Sequence, residues 1–148
     1  MTGQQHLEGA RDGEAAKVSK LQSKQCAQSF INYQGADGAT PLMYAAANGH
    51  DAVTEKLLAA RCNIDLQVKD GYTPIHFAAA GGLAAVIEQL LAERCNVDLQ
   101  TEKGGTGLYI LAQEGHATVT QKLLAANCNV DLQEENGHTP LHCATYRA

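Results

Sequence analysis

A period of 33 residues runs through this chain and limits what it can fold into. Threonines, glycines and leucine pairs all recur at this interval and in the same phase. A fixed period of this size indicates stacked repeats, in which each unit buries its apolar side against its neighbours. The recurring positions are Thr40, Thr73, Thr106 and Thr139; Gly38, Gly71, Gly104 and Gly137; and Leu57-Leu58, Leu90-Leu91 and Leu123-Leu124.

Length, composition and charge narrow the possibilities further. The chain has 148 residues, the size of one domain, and it contains no Trp and only 5% aromatic residues. Its core must therefore come from Leu, Val, Ile and Ala, which suit close stacking of helices. The net charge is −5 and the Lys and Arg residues are scattered, so the basic stripe of a nucleic-acid-binding protein is absent. No run approaches the roughly 18 apolar residues of a membrane span, and we expect neither nucleic acid nor membrane as a partner.

The unit at 71–103 illustrates how each repeat is expected to fold. Thr73 suits the residue that caps a helix, and Pro74 suits the first helical position, where its missing N–H costs nothing. Gly81-Gly82 ends this helix, a second helix follows, and an alternating segment then forms an extended arm. The sequence predicts helices over 41–48, 51–60, 74–81, 84–93, 107–114, 117–126 and 140–146, with two less regular ones within 5–24.

Two recurring motifs of the chain resemble those of a known family. Thr73-Pro74-Ile75-His76 and Thr139-Pro140-Leu141-His142 resemble the Thr-Pro-Leu-His signature of ankyrin repeats. Asn48-Gly49-His50 and Glu114-Gly115-His116 resemble the Gly-His that separates that family's two helices. The resemblance is strong over 37–147 and weaker over 6–36.

The resemblance implies an all-α ankyrin-repeat solenoid of stacked helix–turn–helix units with projecting hairpin arms. The whole chain, 1–148, is then a single domain. We divide it into a degenerate N-terminal cap repeat at 1–37, full repeats at 38–70, 71–103 and 104–136, and a partial last repeat at 137–148.

Six histidines and five cysteines raise the question of a metal site. No two cysteines have the close spacing of a zinc site, so we expect no metal and no cofactor. Cys62, Cys95 and Cys128 are repeat equivalents, and equivalents in a stack lie about 8–10 Å apart. A disulfide needs Cα atoms within about 7 Å, so these thiols are expected to be reduced and the protein intracellular, in the cytoplasm. For His76 and His142, the resemblance implies a structural role in tying adjacent turns together.

Nothing in the sequence points to catalysis. There is no nucleophile motif, no phosphate-binding glycine loop and no paired-carboxylate arrangement, so we expect a protein that is not an enzyme. Columns that keep their identity from unit to unit serve the stack, whereas columns that vary are free to contact a partner. The resemblance implies that a protein partner binds the concave face formed by arm tips and first helices. Tyr72 is the best single candidate there, since an exposed Tyr offers contact area and a hydroxyl at low entropy cost. The predicted partner-binding residues are Asn48, Lys69, Asp70, Tyr72, Gly81, Glu102, Lys103, Gln113, Glu114, Glu135, Asn136 and His138.

The other hypothesis is that the chain is a structural spacer or regulatory segment of a larger repeat protein. Its last repeat contains one predicted helix, which leaves apolar surface beside Leu123-Leu124 without a covering helix. We therefore expect weak self-association through this uncapped C-terminal end, as a two-fold pairing through 119–148.

Overall fold

The computed structural model describes residues 3–13 and 30–147, and within these ranges all regular structure is helical. Every predicted helix from 41 onward is confirmed, with each bound within one residue. Of the two helices expected within 5–24, one corresponds to α1 and the other lies outside the described residues. The helices are α1 (Gly3–Arg11), α2 (Pro41–Asn48), α3 (Asp51–Ala59), α4 (Pro74–Ala80), α5 (Ala84–Ala92), α6 (Gly107–Glu114), α7 (Ala117–Ala125) and α8 (Pro140–Arg147).

The recurring threonines start first helices, and a separate glycine ends α2. Thr40 Oγ1 accepts the Met43 N–H at 3.3 Å at the start of α2, and Thr106 Oγ1 accepts the Tyr109 N–H at 3.2 Å at the start of α6. Gly49 ends α2 with φ 68°, a left-handed conformation that costs glycine little. The turn chemistry read from the sequence therefore fixes both ends of α2 and the start of α6.

The second helix of each unit ends without glycine. Arg61, Arg94 and Asn127 have φ of 58°, 58° and 56°, the left-handed conformation for which other proteins use glycine at a helix end. The Cys62 N–H donates to Leu57 O at 3.3 Å and the Cys95 N–H to Leu90 O at 3.2 Å, the wide hydrogen bonds typical of this ending. Because every second helix ends in this way, each arm leaves its helix in the same direction.

The helices form two rows. The first helices (α2, α4, α6 and α8) pack against one another more closely than the second helices (α3, α5 and α7) do, so the first-helix row lies on the inner, concave side of the stack. Small residues allow this approach, since Ala45, Ala46, Ala78 and Ala79 are fully buried. The predicted core position is confirmed, because Leu57, Leu90 and Leu123 are also fully buried.

The arms, at 62–72, 95–105 and 128–138, are joined by a ladder of hydrogen bonds. Gln67 Nε2 donates to Gly71 O at 2.9 Å within its own arm and to Gln100 O at 3.2 Å in the next. Gln100 repeats the pattern with Gly104 O and with Gln133 O. The recurring glutamine therefore holds the arm tip closed and fixes its position against the following arm.

His76 links two units through the interior. Its side chain is fully buried, Nδ1 accepts the Thr73 N–H at 3.1 Å and its hydroxyl at 2.7 Å, and Nε2 then donates to Gly105 O at 3.2 Å. Burial lowers the pKa of His76 below its ordinary value, because the charged imidazolium is poorly solvated there. The structural role that the resemblance implies is confirmed for His76. His142 is exposed, and the hydrogen bonds of its Nδ1 are to the Thr139 N–H and hydroxyl of its own unit, so within the described residues it does not tie adjacent turns together.

A pH dependence of stability follows from the buried imidazole. Since the folded-state pKa of His76 lies below the ordinary value of about 6.5, protons bind more readily to the unfolded chain. The contribution is complete above about pH 6.5 and is lost as the pH falls through that value toward the folded-state pKa. We expect the urea midpoint to fall over this window, and to fall less in His76→Gln. Equal slopes in the two proteins would contradict the assignment.

Candidate functional site

A groove opens on the concave side, where residues of all three arms meet α6. It encloses about 250 Å³. We call it the arm groove, and it combines aromatic rings with charged and polar groups. Its lining residues are Tyr72, Thr101, Lys103, Gly105, Tyr109, Ile110, Gln113, Glu134 and Glu135.

The groove owes its place in the stack to one small residue. Gly105 occupies the column in which the neighbouring units carry Tyr72 and His138. Its N–H donates to Thr101 Oγ1 at 3.1 Å, and a Cβ atom on it would lie 3.3 Å from Thr101 Oγ1 and 3.7 Å from Tyr109 Cδ1. A ring is therefore absent from this arm, and the space is left between Tyr72 and the following arm.

Tyr72 forms one wall, and the sequence prediction of its exposure was wrong. The side chain is half-buried and packs against the hydrophobic core. Its ring centroid lies 5.7 Å from that of His76, edge-on, and 5.6 Å from that of Phe77. Because the ring folds back over the start of α4, Tyr72 supports the groove as well as facing it.

Tyr109 comes from α6 and takes the column that holds His76 and His142 in the adjacent units. A hydrogen bond with the Cys143 thiol is the largest of the effects that raise the pKa of Tyr109 to about 12, followed by burial and by the nearby charges of Cys143, Glu134 and Glu135. The phenol therefore stays neutral at physiological pH and can donate or accept a hydrogen bond.

Glu134 supplies a fixed negative charge at the far wall. Desolvation alone raises its pKa, but hydrogen bonds from the His138 and Asn136 backbone and the Asn136 side chain outweigh it and hold the pKa of Glu134 below its ordinary value. Its Oε1 accepts the Asn136 N–H at 3.0 Å and the His138 N–H at 3.1 Å, while Oε2 accepts Asn136 Nδ2 at 3.0 Å. Glu134 thus closes the arm tip and stays ionised.

The structure brings only part of the predicted set together. Four predicted residues line the arm groove: Tyr72, Lys103, Gln113 and Glu135. Lys69 and Asp70 are exposed on the arm at 62–72 and Glu102 on the arm at 95–105, none of them lining the groove. Asn136 and His138 are bound by Glu134. Asn48, Gly81 and Glu114 lie exposed at the ends of α2, α4 and α6, outside the groove.

Sequence reasoning missed Thr101, Tyr109, Ile110 and Glu134. One signal could have found Glu134, because its column reads Gly35, Val68, Thr101 and Glu134 and varies as much as the columns that were chosen. Tyr109 was missed because it lies in the column that holds His76 and His142, which the sequence analysis assigned a structural role. Its orientation toward the groove depends on the open space at Gly105, which no single column reveals.

Potential metal ligands and two of the cysteines are expected to play structural roles only. Within 3–13 and 30–147, no three His, Cys, Asp or Glu side chains are grouped so that they could hold a metal ion. Burial raises the pKa of the free thiols of Cys62 and Cys95 to about 12, so both stay protonated and unreactive. In the same ranges, every helix is too short or too polar to cross a membrane.

Two comparisons bear on identity. The family model for ankyrin repeats (3 copies) matches residues 10–98 and again residues 75–148. Comparison with curated proteins gives no match.

Proposed function

Because this chain belongs to the ankyrin repeat family, whose repeats generally serve as protein–protein interaction modules, we propose that it binds a protein partner through the arm groove and the concave face around it. The interaction is non-catalytic, as is typical of the family. The ankyrin solenoid predicted from the sequence is confirmed by the family match and the all-helical architecture of the described residues.

The arm groove is the observation that carries this proposal. Tyr side chains are enriched among the residues that dominate binding energy, and two of them, Tyr72 and Tyr109, face this groove. Lys103, Gln113 and Glu135 surround them with polar groups, which matches the usual arrangement of an apolar centre and a polar rim. Tyr72 is held by its packing on His76 and Phe77, so little side-chain entropy remains to be lost on binding.

Exposed rim residues allow a test that does not disturb folding. Gln113 and Glu135 are both exposed, and the double variant Gln113→Ala/Glu135→Ala should fold normally. Bound proteins would be recovered with wild type and variants in parallel, identified, and their affinities measured by calorimetry. We expect a genuine partner to bind at least about fivefold more weakly to the variant, the effect of losing roughly 1 kcal/mol.

The chain offers a matched control. Glu93 and Gln121 are exposed at the end of α5 and on α7, in the second-helix row, and Glu93→Ala/Gln121→Ala removes the same two side-chain types. The control should retain wild-type affinity. If the partner's affinity is unchanged by the groove variant but falls with the control variant, the partner binds elsewhere. The assignment of the binding face is then wrong.

A second candidate function is that of a spacer or regulatory segment within a larger repeat protein. The apolar surface near α8 favours it, since Leu124 and Leu141 are exposed there. In either case we place the protein inside the cell, because Cys62, Cys95, Cys128 and Cys143 are all free thiols.

A further inference from the structure

Glu134, in the wall of the arm groove, is a carboxylate without a permanent counter-charge. Its side chain is only 8% exposed, and a charge so well covered is ordinarily paired with one of opposite sign. Its ion-pair partner within the described residues is His138, whose Nδ1 lies 3.1 Å from Oε1 and whose ring carries charge only when it is protonated. Hydrogen bonds hold this carboxylate in place, but no lysine or arginine of the described residues neutralises it.

One oxygen of Glu134 has room for a further donor. Oε1 accepts the N–H groups of Asn136 and His138, whereas Oε2 accepts only the Asn136 side-chain amide among the described residues. Since a carboxylate oxygen offers two lone-pair positions, Oε2 can accept one more hydrogen bond. Because Glu134 lines the arm groove, a donor that enters the groove can supply that bond.

The two tyrosine rings of the groove favour a particular kind of donor. Tyr72 and Tyr109 both line it, and the face of an aromatic ring attracts a cation. A guanidinium group is planar and weakly hydrated, so it can stack on a ring while its N–H groups donate to a carboxylate. A lysine ammonium gains the same charge attraction but is more strongly hydrated and cannot stack.

The size of the groove suits one side chain. Sites that hold drug-sized ligands enclose roughly 300–1,000 Å³. The arm groove encloses about 250 Å³, which is less than that range. It therefore fits the anchoring side chain of a partner better than a whole segment.

The arm tips give the groove an acidic surrounding. Over 68–70, 101–103 and 134–136, four carboxylates stand against two ammonium groups. An excess of one charge attracts a side chain of the opposite sign and speeds its encounter with the groove. The carboxylates are those of Asp70, Glu102, Glu134 and Glu135, and the ammonium groups are those of Lys69 and Lys103.

Lys103 is the cation that an entering guanidinium would meet in the groove lining. It is exposed, and within the described residues its ammonium group forms no ion pair. Its backbone oxygen accepts the Glu135 N–H at 2.8 Å, so the main chain is fixed while the flexible side chain can turn outward. Lys103 therefore leaves the carboxylates available, but its charge lowers the affinity of the groove for another cation.

We propose that the arm groove takes an arginine side chain from an exposed segment of the protein partner. The guanidinium stacks on the tyrosine rings and donates to Glu134, with Glu135 as a second carboxylate at the rim. This inference rests on the proposed function and adds to it the chemistry of the partner's anchoring residue. An acidic anchor would instead face both carboxylates.

The test uses short peptides as probes, so it does not require the partner. The protein labelled with nitrogen-15 is titrated with acetyl-Gly-Arg-Gly-amide and followed by NMR. The amide signals of Thr101, Gly105 and Gln113 should shift and saturate, with a Kd on the order of millimolar for a single side chain. The citrulline peptide has the same shape without the charge and should bind at least about fivefold more weakly. Lysine and glutamate peptides should also bind more weakly than arginine.

Two protein variants should change the affinity for the arginine peptide in opposite directions. Lys103→Gln removes the competing cation and should raise it, whereas Glu135→Gln removes a carboxylate and should lower it, each by about twofold or more. Both residues are exposed, so both variants should fold, as circular dichroism would verify. Lys56→Gln and Glu55→Gln make the same substitutions on α3, in the second-helix row, and should leave the affinity unchanged.

The outcomes separate the arginine anchor from the binding face. Equal affinities for the arginine and citrulline peptides, tighter binding of the lysine or glutamate peptide, or weaker arginine binding by Lys103→Gln would overturn the anchor. Signals that do not saturate, or that shift outside the groove, would overturn it as well. The proposed function fails on a different result, when a recovered partner binds Gln113→Ala/Glu135→Ala as tightly as wild type.

Discussion

Leu90→Ala is expected to lower the free energy of unfolding by about 2–5 kcal/mol. Leu90 is fully buried in α5, which packs against α3 on one side and α7 on the other. Removing its side chain leaves a cavity between units that the neighbouring helices can refill only in part. Because the stability of stacked repeats depends on nearest-neighbour interfaces, the loss weakens both interfaces of this unit.

Urea denaturation followed by circular dichroism would measure this change, since the chain has no Trp for fluorescence. Leu124→Ala is the matched control, because it makes the same substitution on α7 at a side chain that is 46% exposed. Its effect should stay within about 0.5 kcal/mol. If Leu90→Ala and Leu124→Ala destabilise equally, the inward direction assigned to the second helices is wrong.

Gly71→Ala should cost roughly 2–3 kcal/mol, for two separate reasons. Gly71 has φ 80°, and a side chain in that left-handed region is strained by about 1–2 kcal/mol. An added Cβ would also lie 2.8 Å from Glu102 N and 2.9 Å from Thr101 Cα, both in the next arm. Relieving this overlap pushes the arms apart and breaks the Glu102 N–H to Asp70 O hydrogen bond of 3.0 Å.

Alanine variants at two other glycines distinguish the cost of the left-handed backbone from the cost of the steric overlap with the next arm. Gly137 has the same φ of 80°, but a Cβ there meets nothing within 4 Å. Gly38 has φ 78° and lies against the next arm, with its nearest contact at an ordinary 3.8 Å. Thermal or urea unfolding of the three alanine variants should show Gly71→Ala as the least stable. Three equal losses would mean that the arms are free to separate.

The repeat columns made most of the fold predictable. A threonine that caps a helix, a glycine that ends one and a leucine pair at helical spacing each have a local physical meaning. Their recurrence in one phase then indicates the stack. The left-handed conformation recurs at Arg61, Arg94 and Asn127 for the same reason, since they occupy the column at which each second helix ends.

The arm groove was harder to predict, because it depends on how side chains from different units meet. Tyr72 lies in a varying column that suggested exposure, yet its ring folds onto His76 and Phe77. Gly105 contributes to the groove because it has no side chain. Tyr109 contributes because its ring lies beside Gly105, with Cδ1 3.7 Å from where a Cβ atom would be. Column variation identifies residues that the stack does not need, but it does not say which of them lie next to one another.

The glutamine ladder determines which changes in chain length the fold can accept. Gln34, Gln67 and Gln100 each donate to a carbonyl 33 residues further along the chain. Duplicating or excising one complete repeat by recombination would therefore restore every donor and acceptor in register, whereas an insertion of another length within a repeat would misalign them. A change of length, ordinarily among the most damaging mutations for a folded domain, is the alteration that this architecture accommodates with least disturbance.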